Sequence, residues 1–131
     1  VGDISPLAGL DKLQRLNLGN NQVEDLSPLA GLDLVYLDFH INVVRDISAL
    51  ANHRRLVTLN FSSNQVEDLS PLASLSQLSF LNARSNRISE IGPLLKLKAL
   101  GEIYLAENPL NPATSQAVIR ELEKRKTSVH L

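Results

Sequence analysis

Asp38, His40 and Ser62 are the residue types of a serine-hydrolase relay, with a hydroxyl nucleophile, an imidazole base and an orienting carboxylate. Asp38 and His40 stand two apart in "YLDFHIN", and Ser62 falls beside His40 if the two segments are neighbouring strands. The spacing argues against catalysis. Residues two apart on an extended chain lie roughly 6.6 Å from each other at the backbone. No strained strand-to-helix turn holds the serine, and no oxyanion pocket is suggested. As a metal pair, Asp38 and His40 lack a third ligand. The expectation is a chain that is not an enzyme, with no metal and no cofactor. Its polar groups must then act by binding, and the elements that position them become the question.

Composition narrows the classes. The chain has 131 residues and a formal net charge of −1. That length suits one domain, and a charge so small sets up no field that would draw in nucleic acid. No apolar run approaches the ~18 residues that span a bilayer. The opening "VGDISPLAGL" lacks the basic start and long apolar core of a secretory signal. Cysteine is absent, which excludes disulfides and thiolate metal sites and fits a reducing compartment.

"LNLGNNQVEDLSPLAGL" at Leu16–Leu32 is nearly repeated as "LNFSSNQVEDLSPLASL" at Leu59–Leu75. Aligned on Leu-x-x-Leu-x-Leu-x-x-Asn, units begin at Leu13, Leu34, Leu56, Leu78 and Leu100. Their spacing is 22 residues except for the first step of 21, where "GLDLVYL" is one residue short. Each unit alternates apolar and polar residues, as a short strand does. Then follows Asp-Leu-Ser-Pro-Leu, where serine is placed to cap a helical turn and proline to open it. Leu29 and Leu32, or Leu72 and Leu75, are three apart, the period of a 3₁₀ turn. The asparagines that close each pattern, Asn21, Asn42, Asn64, Asn86 and Asn108, carry both donors and an acceptor. They are read as pairing the backbone groups of each corner, where an unpaired group costs about 1–3 kcal/mol.

These residues resemble the leucine-rich repeats of the 22-residue class, and "NQVEDLSPLAGL" is similar to the internalin-type bacterial repeat. A related intracellular class, typified by a phosphatase regulatory subunit, shares the period but usually lacks the Ser-Pro step. The resemblance implies a protein-binding solenoid. The expected fold class is α/β: a right-handed solenoid with a curved parallel sheet inside and 3₁₀ turns outside. Repeats are expected over residues 1–110. Residues 111–131 should form a C-terminal cap, with Thr114 or Ser115 starting a helix through "QAVIRELEKR" and "TSVHL" adding an extended segment.

The chain begins in the middle of a unit, Val1 aligning with Val23. Leu7, Leu10, Leu13 and Leu16 then form a first layer with nothing stacked on it. A fragment of a longer protein, or self-association through this uncapped end, is the expectation.

Outward strand positions form the concave face. Tyr36, Phe80 and Tyr104, both tyrosines and one of the three phenylalanines in the chain, fall there, and exposed aromatics favour binding hot spots. They are read as anchors. Arg15, Asp38, Arg84 and Glu102 are read as orienting charges, and His40 and Asn82 complete the set. Five strands about 4.8 Å apart give a patch on the order of 400 Å², about half of one partner's usual share. The partner is read as a protein, with no nucleic acid and no membrane insertion. A passive spacer or regulatory module is the alternative. His53 replaces a leucine on the convex side and is expected to be half-exposed, its ring over the core. The resemblance favours a bacterial cell surface or secretion, and the lack of cysteine leaves the cytoplasm open.

Overall fold

The computed structural model describes residues 1–131. Six three-residue strands form one parallel sheet in chain order: β1 (Arg15–Asn17), β2 (Tyr36–Asp38), β3 (Thr58–Asn60), β4 (Phe80–Asn82), β5 (Glu102–Tyr104) and β6 (Ser128–His130). Between β1 and β5 each strand is followed by a return through a 3₁₀ turn, at Ser27–Leu29, Ser48–Leu50, Ser70–Ser74 and Gly92–Lys96. Another such turn, Ser5–Leu7, precedes β1. A helix, α1 (Pro112–Lys124), separates β5 from β6. This is a leucine-rich-repeat solenoid, and "TSVHL" supplies its sixth strand.

The repeat spacing sets the packing. The strands pair in register, Leu16 with Leu37, Leu37 with Leu59, and Leu59 with Leu81. Equivalent leucines therefore stack into one continuous apolar interior, which runs from Ile4 to Leu122. Phe39 and Phe61 stack inside it with ring centroids 5.9 Å apart.

The asparagines work as a ladder. Asn64 Nδ2 donates to Phe39 O and Phe61 O, both at 3.0 Å, and its Oδ1 accepts from Val44 N–H at 3.0 Å. Asn42, Asn86 and Asn108 repeat the arrangement. One residue before each asparagine the chain turns through the left-handed region, at Asn20, Ile41, Ser63, Ser85 and Glu107, with φ between 52° and 62°. Asparagine tolerates this conformation far better than a β-branched residue, and Ile41 is the one β-branched member of the five.

Three local expectations change. Serine does not cap the 3₁₀ turns but is their first residue; the aspartate two before it accepts the serine N–H, as with Asp25 and Ser27 at 2.9 Å. A short Asx turn satisfies that donor more directly than a serine hydroxyl would. Helix α1 starts earlier than Thr114, because Asn111 Oδ1 accepts from Ala113 N–H at 3.1 Å and Pro112 occupies the first position. His53 is wholly buried instead of half-exposed. Its ring nitrogens meet Leu29 O at 2.9 Å and Leu34 N at 3.3 Å, so it needs no water.

Candidate functional site

The sheet's outer side is built from two rows that the register aligns. One runs Arg15, Tyr36, Thr58, Phe80, Glu102, Ser128, and the other Asn17, Asp38, Asn60, Asn82, Tyr104, His130. Strand alternation sends these side chains away from the leucine interior. They gather into two groups.

The first group lies on β1 and β2. The Arg15 guanidinium sits over the Tyr36 ring, 4.6 Å from its centroid, a cation–π contact. Asp38 Oδ1 lies 2.6 Å from His40 Nδ1 and also accepts the His40 backbone N–H at 3.0 Å. Asp38 is thereby buried, not an exposed charge. The strand-spacing argument failed here because β2 ends at Asp38 and the chain is already turning toward Ile41. The His40 ring lies over Gly19, where a Cβ would come within 2.1 Å of it. Glycine at that point leaves the room the ring occupies.

The second group spans β4, β5 and β6. Tyr104 is tilted against Phe80 with centroids 5.8 Å apart and stacked on His130 at 4.2 Å. Its hydroxyl donates to Glu102 Oε2 at 2.9 Å, and His130 Nε2 meets the same oxygen at 3.0 Å. That hydrogen bond to Glu102 raises the Tyr104 pKa. Beside them Arg84 Nη2 binds Glu107 Oε1 at 2.6 Å, and Ser85 donates to Glu107 Oε2 at 2.6 Å. The Arg84 bond first, then Ser85, holds the Glu107 carboxyl below its usual range.

Between the groups β3 offers only Thr58 and Asn60, with Ser62 just beyond, all short and polar. Asn82 Oδ1 accepts Arg84 N–H at 3.2 Å, as Asn60 does for Ser62 and Asn17 for Gly19. Aspartate or asparagine at this position is thus a turn-making residue as well as a surface one. Reading by residue type assigned Asp38 and Asn82 to the face and did not see this backbone task. It also missed His130, and it placed Glu107 on the rim without its bond to Arg84. The alternation in "TSVHL" was the available sign of the former; nothing in the spacing marked the latter as the partner of Arg84.

The hydrolase relay does not form. The Ser62 hydroxyl makes no hydrogen bond to His40, whose ring is turned over Gly19. The molecule's surface depression lies elsewhere, at Gly9, Leu10, Asp11, Lys12 and Leu13. The outer side of the sheet is a plate, not a pocket.

The chain is similar to the crystal structure of internalin C2 from Listeria monocytogenes, with 34% identity over 100% of this chain and 55% of that one, at a TM-score of 0.85. Internalin InlF of the same organism is 33% identical over 98% of this chain and 44% of that one, with a TM-score of 0.78. A family profile for leucine-rich repeats (2 copies) matches residues 1–31. The chain is an internalin-like leucine-rich-repeat protein. This internalin-like chain spans about half the length of the internalins it matches. A leucine-rich-repeat protein of Leptospira interrogans, 20% identical over 95% of this chain and 38% of that one, shares the fold at a TM-score of 0.68. No curated protein sequence matches. No helix of the internalin-like chain is long and apolar enough to cross a membrane.

Proposed function

We propose that the outer side of the sheet docks a protein partner. Tyr36 and the Phe80–Tyr104 pair are the anchors, and Arg15, His40, Arg84 and Glu102 orient the partner. The observation that carries this reading is the aromatic ridge of Phe80, Tyr104 and His130 standing half-exposed beside bonded polar groups. Amphipathic aromatics whose polar tips are already oriented lose little entropy on binding. Asp38, being buried, contributes by holding His40.

The plate is on the order of 400 Å², against about 800 Å² per partner in a stable complex. A tight partner must therefore also use a rim. Ile41 and Val43 border the first group and are 50% and 38% exposed, so the rim there is apolar. Likeness to the two internalins supports a bacterial surface or secreted setting for this docking role. It also supports protein binding as the use of the scaffold.

The test is a triple substitution, Tyr36→Ala, Phe80→Ala and Tyr104→Ala, with the fold checked by circular dichroism. Capture of the wild-type chain's partners should be lost, with a fall of at least tenfold in affinity. Unchanged capture by the folded variant overturns the docking role and favours a passive spacer.

A further inference from the structure

Of the three histidines, His40 pairs with Asp38 and His130 with Glu102, but His53 has no carboxylate partner. It is wholly buried where the other units place Leu10, Leu32, Leu75 and Leu97. The backbone explains the exchange. Leu13, Leu56, Leu78 and Leu100 each donate their N–H to the carbonyl three residues back. Leu34 follows the shortened step and makes no such bond; its N–H donates to His53 Nδ1 at 3.3 Å instead. His53 Nε2 meets Leu29 O at 2.9 Å, so it must carry the proton. One ring thus supplies the acceptor and the donor that tie the end of the second unit to its own start and to the first unit. A leucine at residue 53 would leave the Leu34 N–H unpaired.

A proton on Nδ1 cannot coexist with this bond, because Nδ1–H would face another N–H. The charged groups nearby give the cation little relief. In the unit below, Asp33 is engaged by Arg55 at 2.8 Å. In its own unit Arg54 and Arg55 carry like charge, and in the unit above Ser74, Leu75, Ser76 and Gln77 carry none. Burial, outweighing the Leu29 bond and the Asp33 charge, lowers the His53 pKa from 6.5.

We propose that His53 is an acid-released latch: neutral, it joins the second unit to the first through Leu29 and to its own start through Leu34, and protonated it lets the joint open. Tyr36, Asp38 and His40 follow Leu34 directly, so opening loosens the first group of the outer face. The unfolded chain takes up this proton more readily than the folded one. The latch's contribution is therefore complete above about pH 6.5 and declines as pH falls through that value, by up to tenfold in the folding equilibrium per pH unit. Asp3, Asp46, Glu90 and Glu107 are all held below their usual pKa values of 3.8 and 4.5, so their losses come in more acidic solution.

The test uses a His40→Gln, His130→Gln background, which removes the other two imidazoles. Urea unfolding is followed from pH 7.5 to 5.0, with and without His53→Gln, whose amide retains a donor and an acceptor. The parent should lose several-fold to tenfold of its folding equilibrium over that interval, and the His53→Gln chain should lose less than twofold. Equal slopes overturn the proposal. Amide exchange in the wild-type chain gives a second readout, independent of any variant. The protection factor at Leu34 should fall at pH 5.5 relative to pH 7.5 while that at Leu78 holds. Equal behaviour of the two amides overturns the latch even if the variant does not fold.

Discussion

The two ends of the stack give the same leucine positions different surroundings. At one end Leu10 is 46% exposed and Leu7, Leu13, Leu16 and Leu18 are half-buried. At the other, Leu97 is 1% exposed and Leu94 is fully buried. The difference is made by α1, which places Val118 and Leu122 in the same interior. It is fastened by Arg125, whose guanidinium donates to Leu95 O at 2.7 Å, and by Thr127, which donates to Leu100 O at 2.7 Å. A repeat unit is stabilised by what lies on both of its sides, so identical sequence positions need not contribute equally.

The largest expected effect separates these ends. Leu122→Ala removes a fully buried side chain that α1 lends to the interior. It should cost about 2–5 kcal/mol in urea unfolding. Leu10→Ala, at the open end, should cost less than about 1 kcal/mol. Similar costs for the two would mean that the closed end is no firmer than the open one.

A smaller contrast tests the asparagine ladder in the same terms. Asn64→Ala strands the Val44 N–H in the interior and takes a donor from Phe39 O and Phe61 O. Asn21 holds Leu18 O, which Asn42 also serves, and its Oδ1 accepts only from the chain's amino terminus. The Asn64 change should therefore cost about 1–3 kcal/mol more than Asn21→Ala by denaturant unfolding. Equal losses would show that position along the stack does not matter to the ladder.

How much of this was legible follows from the range of the forces involved. Strand positions, the 3₁₀ turns and the asparagine ladder rest on period and on donor counts within one unit, and the spacing of Leu56, Leu78 and Leu100 carries them. The site was half legible. Alternation sends Tyr36, Phe80 and Tyr104 outward, but stacking of Tyr104 on His130 joins residues far apart in sequence through a strand that follows the helix. The Asp38–His40 bond was missed because strand geometry was applied two residues past the strand's end. His53 was misplaced because the shortened step and the histidine were read as separate oddities, whereas the bond to Leu34 N–H makes them one feature.

Ile41 gives the smallest effect, and one of opposite sign. It sits near the open end, is 50% exposed and holds φ at 52°. A β-branched side chain in the left-handed region is strained, and such strain persists only where the surroundings hold the backbone in place. Here Asn21 N–H donates to Ile41 O at 3.1 Å, and Ile41 N–H donates to Ser62 O at 2.9 Å, so the turn is held from both sides. Asn20 adopts the same turn in the preceding unit with φ at 62°. Ile41→Asn should therefore stabilise the chain by about 1 kcal/mol, read as a higher urea midpoint at unchanged slope. No gain would show that the second unit relaxes around its isoleucine, in the face that carries Tyr36 and His40.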